Sequence, residues 1–121
     1  MIERPEMILG LHHVAIIASG EASIDFYKRL GFTETYRKER RADTVVLMQG
    51  FGIELEIFID ASHPERACHP ENLGLRMLAL KVTSCKEISR QFDCGPIMQD
   101  WFGVNYCLTF DPDGQPIQLH E

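Results

Sequence analysis

The sequence predicts an α+β fold built from two βαβββ modules. Segment 52–58 alternates between apolar and polar residues, as a strand with one buried face does. Segment 114–120 repeats this pattern weakly: Gly52 maps to Gly114 and Glu56 maps to Gln118, 62 residues apart in each case. Each half also contains a predicted strand, a helix and three further strands. We interpret these observations as an internal duplication.

In the first half, we predict strands at 11–18, from 32 to about 40, at 44–48 and at 53–58, with a helix at 21–30. The first strand is apolar nearly throughout, which is typical of a strand covered on both faces. Ser19 is a candidate N-cap of the helix, and Gly31 follows it where a left-handed C-cap is needed. The basic run at 37–41 is interpreted as a solvated loop.

In the second half, we predict strands at 75–82, near 97–98, at 106–110 and up to residue 120, with a helix after Ser84. Ser84 and Glu87 fit a capping box, and the buried side of this helix is marked by Cys85, Ile88 and Phe92. Residues 111–114 are a strong turn signal. We therefore divide a single domain, 1–121, into module 1 at about 9–59, a linker at 60–73, and module 2 at about 74–121.

A βαβββ module alone has an open sheet edge and one bare face. Two modules can cover these by pairing, which would form a curved eight-stranded sheet around a central cleft. A pseudo-twofold axis through the cleft would bring equivalent positions together. We expect His13, Glu56, Met77 and Gln118 to converge there.

Composition narrows the function classes. The net charge of −6 disfavours nucleic-acid binding, because phosphate-binding proteins usually carry a basic face. No apolar run approaches the roughly 18 residues of a membrane helix. The first six residues lack an apolar signal core, so we expect a cytoplasmic protein. The four cysteines have no CxxC spacing and are interpreted as free thiols.

Four segments resemble the vicinal oxygen chelate superfamily, which includes glyoxalase I, extradiol dioxygenases and bleomycin- or fosfomycin-resistance proteins. They are "LHHVAIIAS…SIDFYKRLGF", "ELEIF", "PENLGLRMLALKV" and "FDPDGQPIQLHE". The sequence is most similar to small bacterial glyoxalase I-like members, and the resemblance extends from Leu9 to Glu121. It implies a paired βαβββ fold, a divalent metal in the cleft, a small-molecule substrate and a homodimer.

The resemblance also implies a ligand set. His13 and Glu56 match two of the four usual metal ligands, whereas Met77 and Gln118 stand where the family usually has His and Glu. Gln118 is a candidate third ligand through its amide oxygen, and its alternative role is a hydrogen bond to substrate or backbone. Met77 is interpreted as a cavity-wall residue. One nitrogen and two oxygens would suit Zn²⁺, Ni²⁺, Mn²⁺ or Fe²⁺, or the weakened set holds no metal.

In the glyoxalase I-like reaction, a metal polarises the substrate oxygens and a carboxylate moves a proton between adjacent carbons. An amide cannot take that proton, so Glu56 would have to act as both ligand and base. Two hypotheses follow. The first is a metal-dependent glyoxalase I-like lyase or isomerase with an incomplete ligand set. The second is a metal-poor small-molecule-binding protein of the resistance type.

Each candidate residue has a structural alternative. His13 could be a hydrogen-bonded core histidine, and Glu56 could belong to a solvated strand face that it shares with Glu54. Strict alternation places His12 on the opposite side from His13. The aromatic residues of the late loop and strand could line an apolar pocket or pack in the core; they are Trp101, Phe102 and Tyr106. The remaining histidines are interpreted as surface or linker residues, with a ligand role for His120 as a remote alternative; they are His63, His69 and His120.

Overall fold

The computed structural model describes Glu3 and residues 5–121. Met1, Ile2 and Arg4 lie outside the described residues. They belong to the N-terminal segment from which a cytoplasmic protein was predicted. Between His63 and Pro64 the chain divides into two compact units. The elements are β1 (Val14–Ala18), α1 (Glu21–Leu30), β2 (Thr33–Glu39), β3 (Thr44–Gly50), β4 (Ile53–Ile59), β5 (Leu78–Lys81), α2 (Cys85–Ile88), β6 (Met98–Gln99), β7 (Asn105–Phe110) and β8 (Pro116–His120).

The two units repeat one strand order. The first unit has the order β1-β4-β3-β2 and the second has β5-β8-β7-β6, so in each the first strand pairs in parallel with the last. The registers also repeat: Ala15 lies opposite Glu56, and Ala79 lies opposite Gln118. The predicted α+β fold of two βαβββ modules is therefore confirmed, and Gln118 occupies the position equivalent to Glu56.

Alternation along β4 separates a buried face from an open face. Leu55 and Ile57 are fully buried, whereas Glu54 and Glu56 point to the other side and are partly exposed. The interpretation of β1 as covered on both faces is wrong, because Ile17 is 55% exposed. The unit therefore buries one face of its sheet and leaves the carboxylates on the other.

The two ends of α1 test the capping residues predicted for this helix. Gly31 has φ +119 and donates its N–H to the Lys28 carbonyl, as the C-cap prediction requires. The N-cap prediction is wrong by one residue: Gly20 is the cap, and its carbonyl accepts the Ser23 N–H. The helix therefore begins at Glu21, as predicted.

The basic run at 37–41 is only partly a loop. Its first three residues belong to β2, and Arg37 forms ion pairs with Glu21 and Glu34. The guanidinium lowers the pKa of both carboxyl groups through its hydrogen bonds to them. The run is therefore a paired strand segment that leads into a turn.

In the second unit Ser84 is the N-cap, as predicted: its hydroxyl accepts the Glu87 N–H, which is one of the two hydrogen bonds of a capping box. Cys85 and Phe92 are buried as expected, but Ile88 is only partly buried. The helix is shorter than predicted, because α2 ends at Ile88 and Phe92 lies beyond it. The first strand is shorter than predicted: it begins at Leu78, and Leu75 is exposed. Among the described residues, none of the helices has the length and apolar character needed to cross a membrane.

Candidate functional site

His13 and Glu56 lie together in the first unit. His13 immediately precedes β1, and Glu56 lies on the open face of β4, the strand paired with β1. The His13 Nε2 atom is 3.1 Å from Glu56 Oε2, and the two side chains are 36% and 25% exposed. The alternative of His13 as a core histidine is wrong, because the pair is open to solvent.

The spacing of this pair fits two ligands of one metal ion. With metal–ligand bonds of about 2.0–2.2 Å, two ligands at about 90–110° from each other are separated by about 2.8–3.6 Å. The observed 3.1 Å lies in this range. It also suits a carboxylate that accepts the Nε2–H and orients the imidazole, as commonly occurs beside metal-ligating histidines.

His12 also contacts this cluster, which corrects the prediction that it points away from His13. The two Nδ1 atoms are 2.9 Å apart, and the rings meet edge to face. His12 Nδ1 is 4.0 Å from Glu54 Oε2. His12, His13 and Glu54 each offer one ligand atom, and these three atoms lie within 4.8 Å of one another. Alternation failed because both histidines precede β1, which begins at Val14.

A guanidinium borders the open face. Arg40 lies over the Phe58 ring at 5.6 Å and donates from Nε to Asp43 at 2.7 Å. The pKa of Arg40 is raised, chiefly by its hydrogen bond to Asp43 and to a smaller extent by the charge of Glu56. Sequence reasoning missed Arg40 because it treated residues 37–41 as one solvated run. The signal that was available is the Arg-x-x-Asp spacing of a closed turn.

The second unit holds the equivalents of His13 and Glu56. Met77 immediately precedes β5, and Gln118 lies in β8, opposite Ala79. Both residues are partly buried. The strand registers thus support the correspondence inferred from the offsets.

The three aromatic residues of the late loop and strand differ in their exposure to solvent. Trp101 and Phe102 are 96% and 86% exposed in the turn before β7, so the core-packing alternative is wrong for both. Tyr106 is partly buried and stacks against His120, with ring centroids 6.2 Å apart and an interplanar angle of 5°. Their pocket-lining role stays a prediction.

Asp100 organises this turn and was missed by sequence reasoning. Its Oδ1 atom accepts the N–H groups of Phe102 and Val104, and its Oδ2 atom lies 2.8 Å from His120 Nε2. The Val104 N–H, followed by the Phe102 N–H and His120, holds the pKa of Asp100 below its usual value. His120 is therefore half-buried and paired rather than a simple surface residue.

Comparison with known proteins identifies the family to which this chain belongs. No protein-family model matches the chain. The uncharacterized protein YwkD from Bacillus subtilis (strain 168) is 36% identical over 95% of this chain and 98% of that protein. A crystal structure of a glyoxalase family protein from Enterococcus faecalis is 38% identical, with a TM-score of 0.84 over 93% of this chain and 97% of the other. The chain therefore belongs to the glyoxalase family, within the vicinal oxygen chelate superfamily.

More distant structures share only the fold. A fosfomycin resistance protein from Listeria monocytogenes, FosX, in complex with Mn(II) and a dihydroxypropylphosphonic acid, is 16% identical, with a TM-score of 0.70 over 94% of this chain and 93% of that chain. A bleomycin-binding protein in complex with bleomycin is also 16% identical, with a TM-score of 0.63 over 93% and 98%. The fold thus occurs in both metal-containing and ligand-binding proteins.

Proposed function

We propose that the protein is a glyoxalase I-like, divalent-metal-dependent lyase or isomerase that acts on a small, oxygen-rich substrate. The observation that carries the proposal is the 3.1 Å approach of His13 Nε2 to Glu56 Oε2 on an open sheet face. The proposed ligands are His13, Glu56 and Gln118, a nitrogen and two oxygens that suit Zn²⁺, Ni²⁺, Mn²⁺ or Fe²⁺. The Mn(II) complex of FosX supports a divalent ion in this fold.

A divalent ion held by these ligands would polarise the substrate oxygens. Glu56 accepts the proton from one substrate carbon and returns it to the adjacent carbon. Gln118 cannot replace it as a base, because an amide has no basic oxygen at neutral pH. The proposal also includes apolar wall residues that contact the substrate; they are Met77, Trp101, Phe102 and Tyr106.

A second candidate function is a metal-poor protein that binds a small molecule without transforming it. The observation in its favour is that Met77 and Gln118 occupy the positions equivalent to His13 and Glu56. This replacement removes one imidazole and one charge from a symmetric ligand set. A thioether is also a poor ligand for borderline and hard divalent ions. The bleomycin-binding protein shows that the fold occurs in a ligand-binding protein.

Metal analysis separates the two functions. Protein purified without chelator should contain stoichiometric Zn, Ni, Mn or Fe by elemental analysis, and His13→Ala should lose it. His63→Ala is the matched control, because His63 is an exposed histidine of the same unit, 3.6 Å from Asp60. A metal-free wild type that binds an aromatic ligand in calorimetry would support the second function. Equal metal content in both variants would contradict the proposed centre.

A gain-of-affinity variant tests the role of the second module. The double variant Met77→His and Gln118→Glu restores the family's usual ligand types at positions equivalent to His13 and Glu56. It should bind Zn²⁺ or Mn²⁺ more tightly than the wild type under either function. An unchanged affinity in a folded variant would mean that these positions do not join the proposed centre.

We also propose a homodimer, as the resemblance implies. Light scattering after size-exclusion chromatography should give twice the chain mass of 13.9 kDa. A monomer at micromolar concentration would contradict this.

A further inference from the structure

The imidazole ring of His120 is fixed by two contacts within the second unit. Its Nε2 atom lies 2.8 Å from Asp100 Oδ2, and its plane stacks on the Tyr106 ring at an interplanar angle of 5°. Tyr106 lies directly opposite His120 in the β7–β8 ladder, so strand pairing brings the two rings together. The stacking sets the plane of the imidazole and the carboxylate sets the direction of Nε2, while 32% of the side chain stays exposed.

Asp100 also decides which ring nitrogen of His120 carries the proton. Its Oδ1 atom accepts the N–H groups of Val104 and Phe102, and these contacts, chiefly the one from Val104, help to hold its pKa below the usual value. An ionised carboxylate has no hydrogen to donate, so a neutral His120 donates its Nε2–H to Oδ2. The lone pair of the imidazole is then on Nδ1. Among the residues that the structure describes, none forms a hydrogen bond with Nδ1.

His120 belongs to the less buried face of β8. Ile117 and Leu119 are buried on one side of this strand, whereas Gln118 and His120 are partly exposed on the other. The Cα atoms of two residues at this spacing are about 6.6–6.8 Å apart along a strand. A small molecule with several oxygen atoms can therefore contact the amide of Gln118 and the imidazole of His120 at the same time.

We propose that His120 Nδ1 is a hydrogen-bond acceptor that selects substrates with a hydroxyl group at this position. A hydroxyl can donate to the Nδ1 lone pair, whereas an ether or carbonyl oxygen has no hydrogen to donate and brings a second lone pair against the first. Asp100 is a positioning residue, because it acts through the proton that it holds on His120 Nε2. This role deepens the proposed function and rests on it for the oxygen-rich substrate, but it uses residues of the second unit alone and needs no metal.

The position of the proton is the first measurement. A long-range proton–nitrogen NMR spectrum of the full chain is recorded at about pH 8, above the usual imidazole pKa of about 6.5. His120 should show a protonated Nε2 and an unprotonated Nδ1. In Asp100→Asn, the new amide can donate to Nε2, so the proton should move at least partly to Nδ1.

Binding is the second measurement, by NMR titration with phenoxyethanol and with its methyl ether. The two probes share an aromatic ring and two oxygens on adjacent carbons, but only phenoxyethanol can donate a hydrogen bond. The wild type should bind phenoxyethanol about 3- to 10-fold more tightly, which is the effect of one neutral hydrogen bond. In Asp100→Asn this preference should shrink, because an Nδ1–H accepts either oxygen.

Two replacements of His120 separate ligand recognition from support of the turn. His120→Gln keeps an N–H that can reach Asp100 but has no acceptor at the place of Nδ1, so the preference for phenoxyethanol should disappear. His120→Asn keeps an oxygen near the place of Nδ1 but loses the donor to Asp100, so part of the preference should remain. His69→Gln is the matched control, because His69 is an exposed histidine of the same unit, and it should leave the preference unchanged.

Three results would overturn the role of His120. They are an unprotonated Nε2 in the wild type, equal or absent binding of the two probes, and a preference that His120→Gln keeps and His120→Asn loses. Metal content is measured separately on the wild type and His13→Ala. A metal-free wild type that still prefers phenoxyethanol would refute the proposed metal centre and leave the role of His120 standing. Equal binding of both probes by a metal-loaded wild type would do the reverse. Circular dichroism checks that each variant is folded.

Discussion

Replacement of Glu56 by Gln tests the proposed centre directly. Gln keeps the shape of the side chain but removes its charge and its ability to accept a proton. The buried neighbours on β4, Leu55 and Ile57, face the other side of the strand, so their packing is unaffected. We therefore expect the free energy of unfolding to change by no more than about 0.5 kcal/mol.

The effect on metal affinity should be much larger. Glu56 lies 3.1 Å from His13 Nε2, so its loss removes either a charged ligand or the acceptor that orients the imidazole. Replacing a carboxylate that orients a ligating histidine costs about 10- to 100-fold in metal affinity. This corresponds to about 1.4–2.7 kcal/mol. Loss of a direct ligand should fall at or beyond the upper end of this range.

The assay is a competition titration of Zn²⁺ against a chromophoric chelator. Wild type, Glu56→Gln and Glu39→Gln are compared at one pH and ionic strength. Glu39 is an exposed carboxylate at the end of β2, so its variant controls for the loss of one negative charge. Equal affinities for wild type and a folded Glu56→Gln protein would refute the assignment of Glu56 to the centre. Equal losses of Zn²⁺ affinity in both variants would mean that the effect comes from the change in net charge alone.

Three further predictions concern the rest of the chain. Gly31→Ala should cost about 1–2 kcal/mol in calorimetric unfolding, because φ is +119 and the added Cβ would lie 2.8 Å from a phenyl carbon; an unchanged stability would contradict this. Since the pKa of Asp100 is lowered, chiefly by the Val104 N–H, the ionised form stabilises the turn above the usual pKa of 3.8. That stabilisation should disappear as the pH falls through the lower folded-state pKa, so the protection of the Val104 amide from hydrogen exchange should fall there, and also in Asp100→Ala at neutral pH. Protection that stays constant would refute the role of Asp100. Burial raises the pKa of Cys85 to about 12, so iodoacetamide at about pH 8 should alkylate the exposed Cys68 and spare Cys85 until denaturant is added; equal labelling in mass spectrometry would contradict this.

Sequence alone determined the duplication and the residues that form its repeat. Alternation in 52–58 separated the buried Leu55 from the exposed-face Glu56, because successive side chains of a strand point to opposite sides. The offsets between the halves paired Glu56 with Gln118, and the strand registers repeat that pairing. The proximity of His13 and Glu56 was also predicted, from the expected convergence of equivalent positions and from the resemblance.

Tertiary structure alone decided the position of side chains that precede strands or lie in turns. His12 contacts His13 because both precede the regular part of β1, where alternation no longer determines direction. Asp100 and His120 are 20 residues apart, and the carboxylate reaches the imidazole only because the turn before β7 folds against β8. Periodicity describes local backbone geometry, whereas such contacts depend on how strands pair across the sheet.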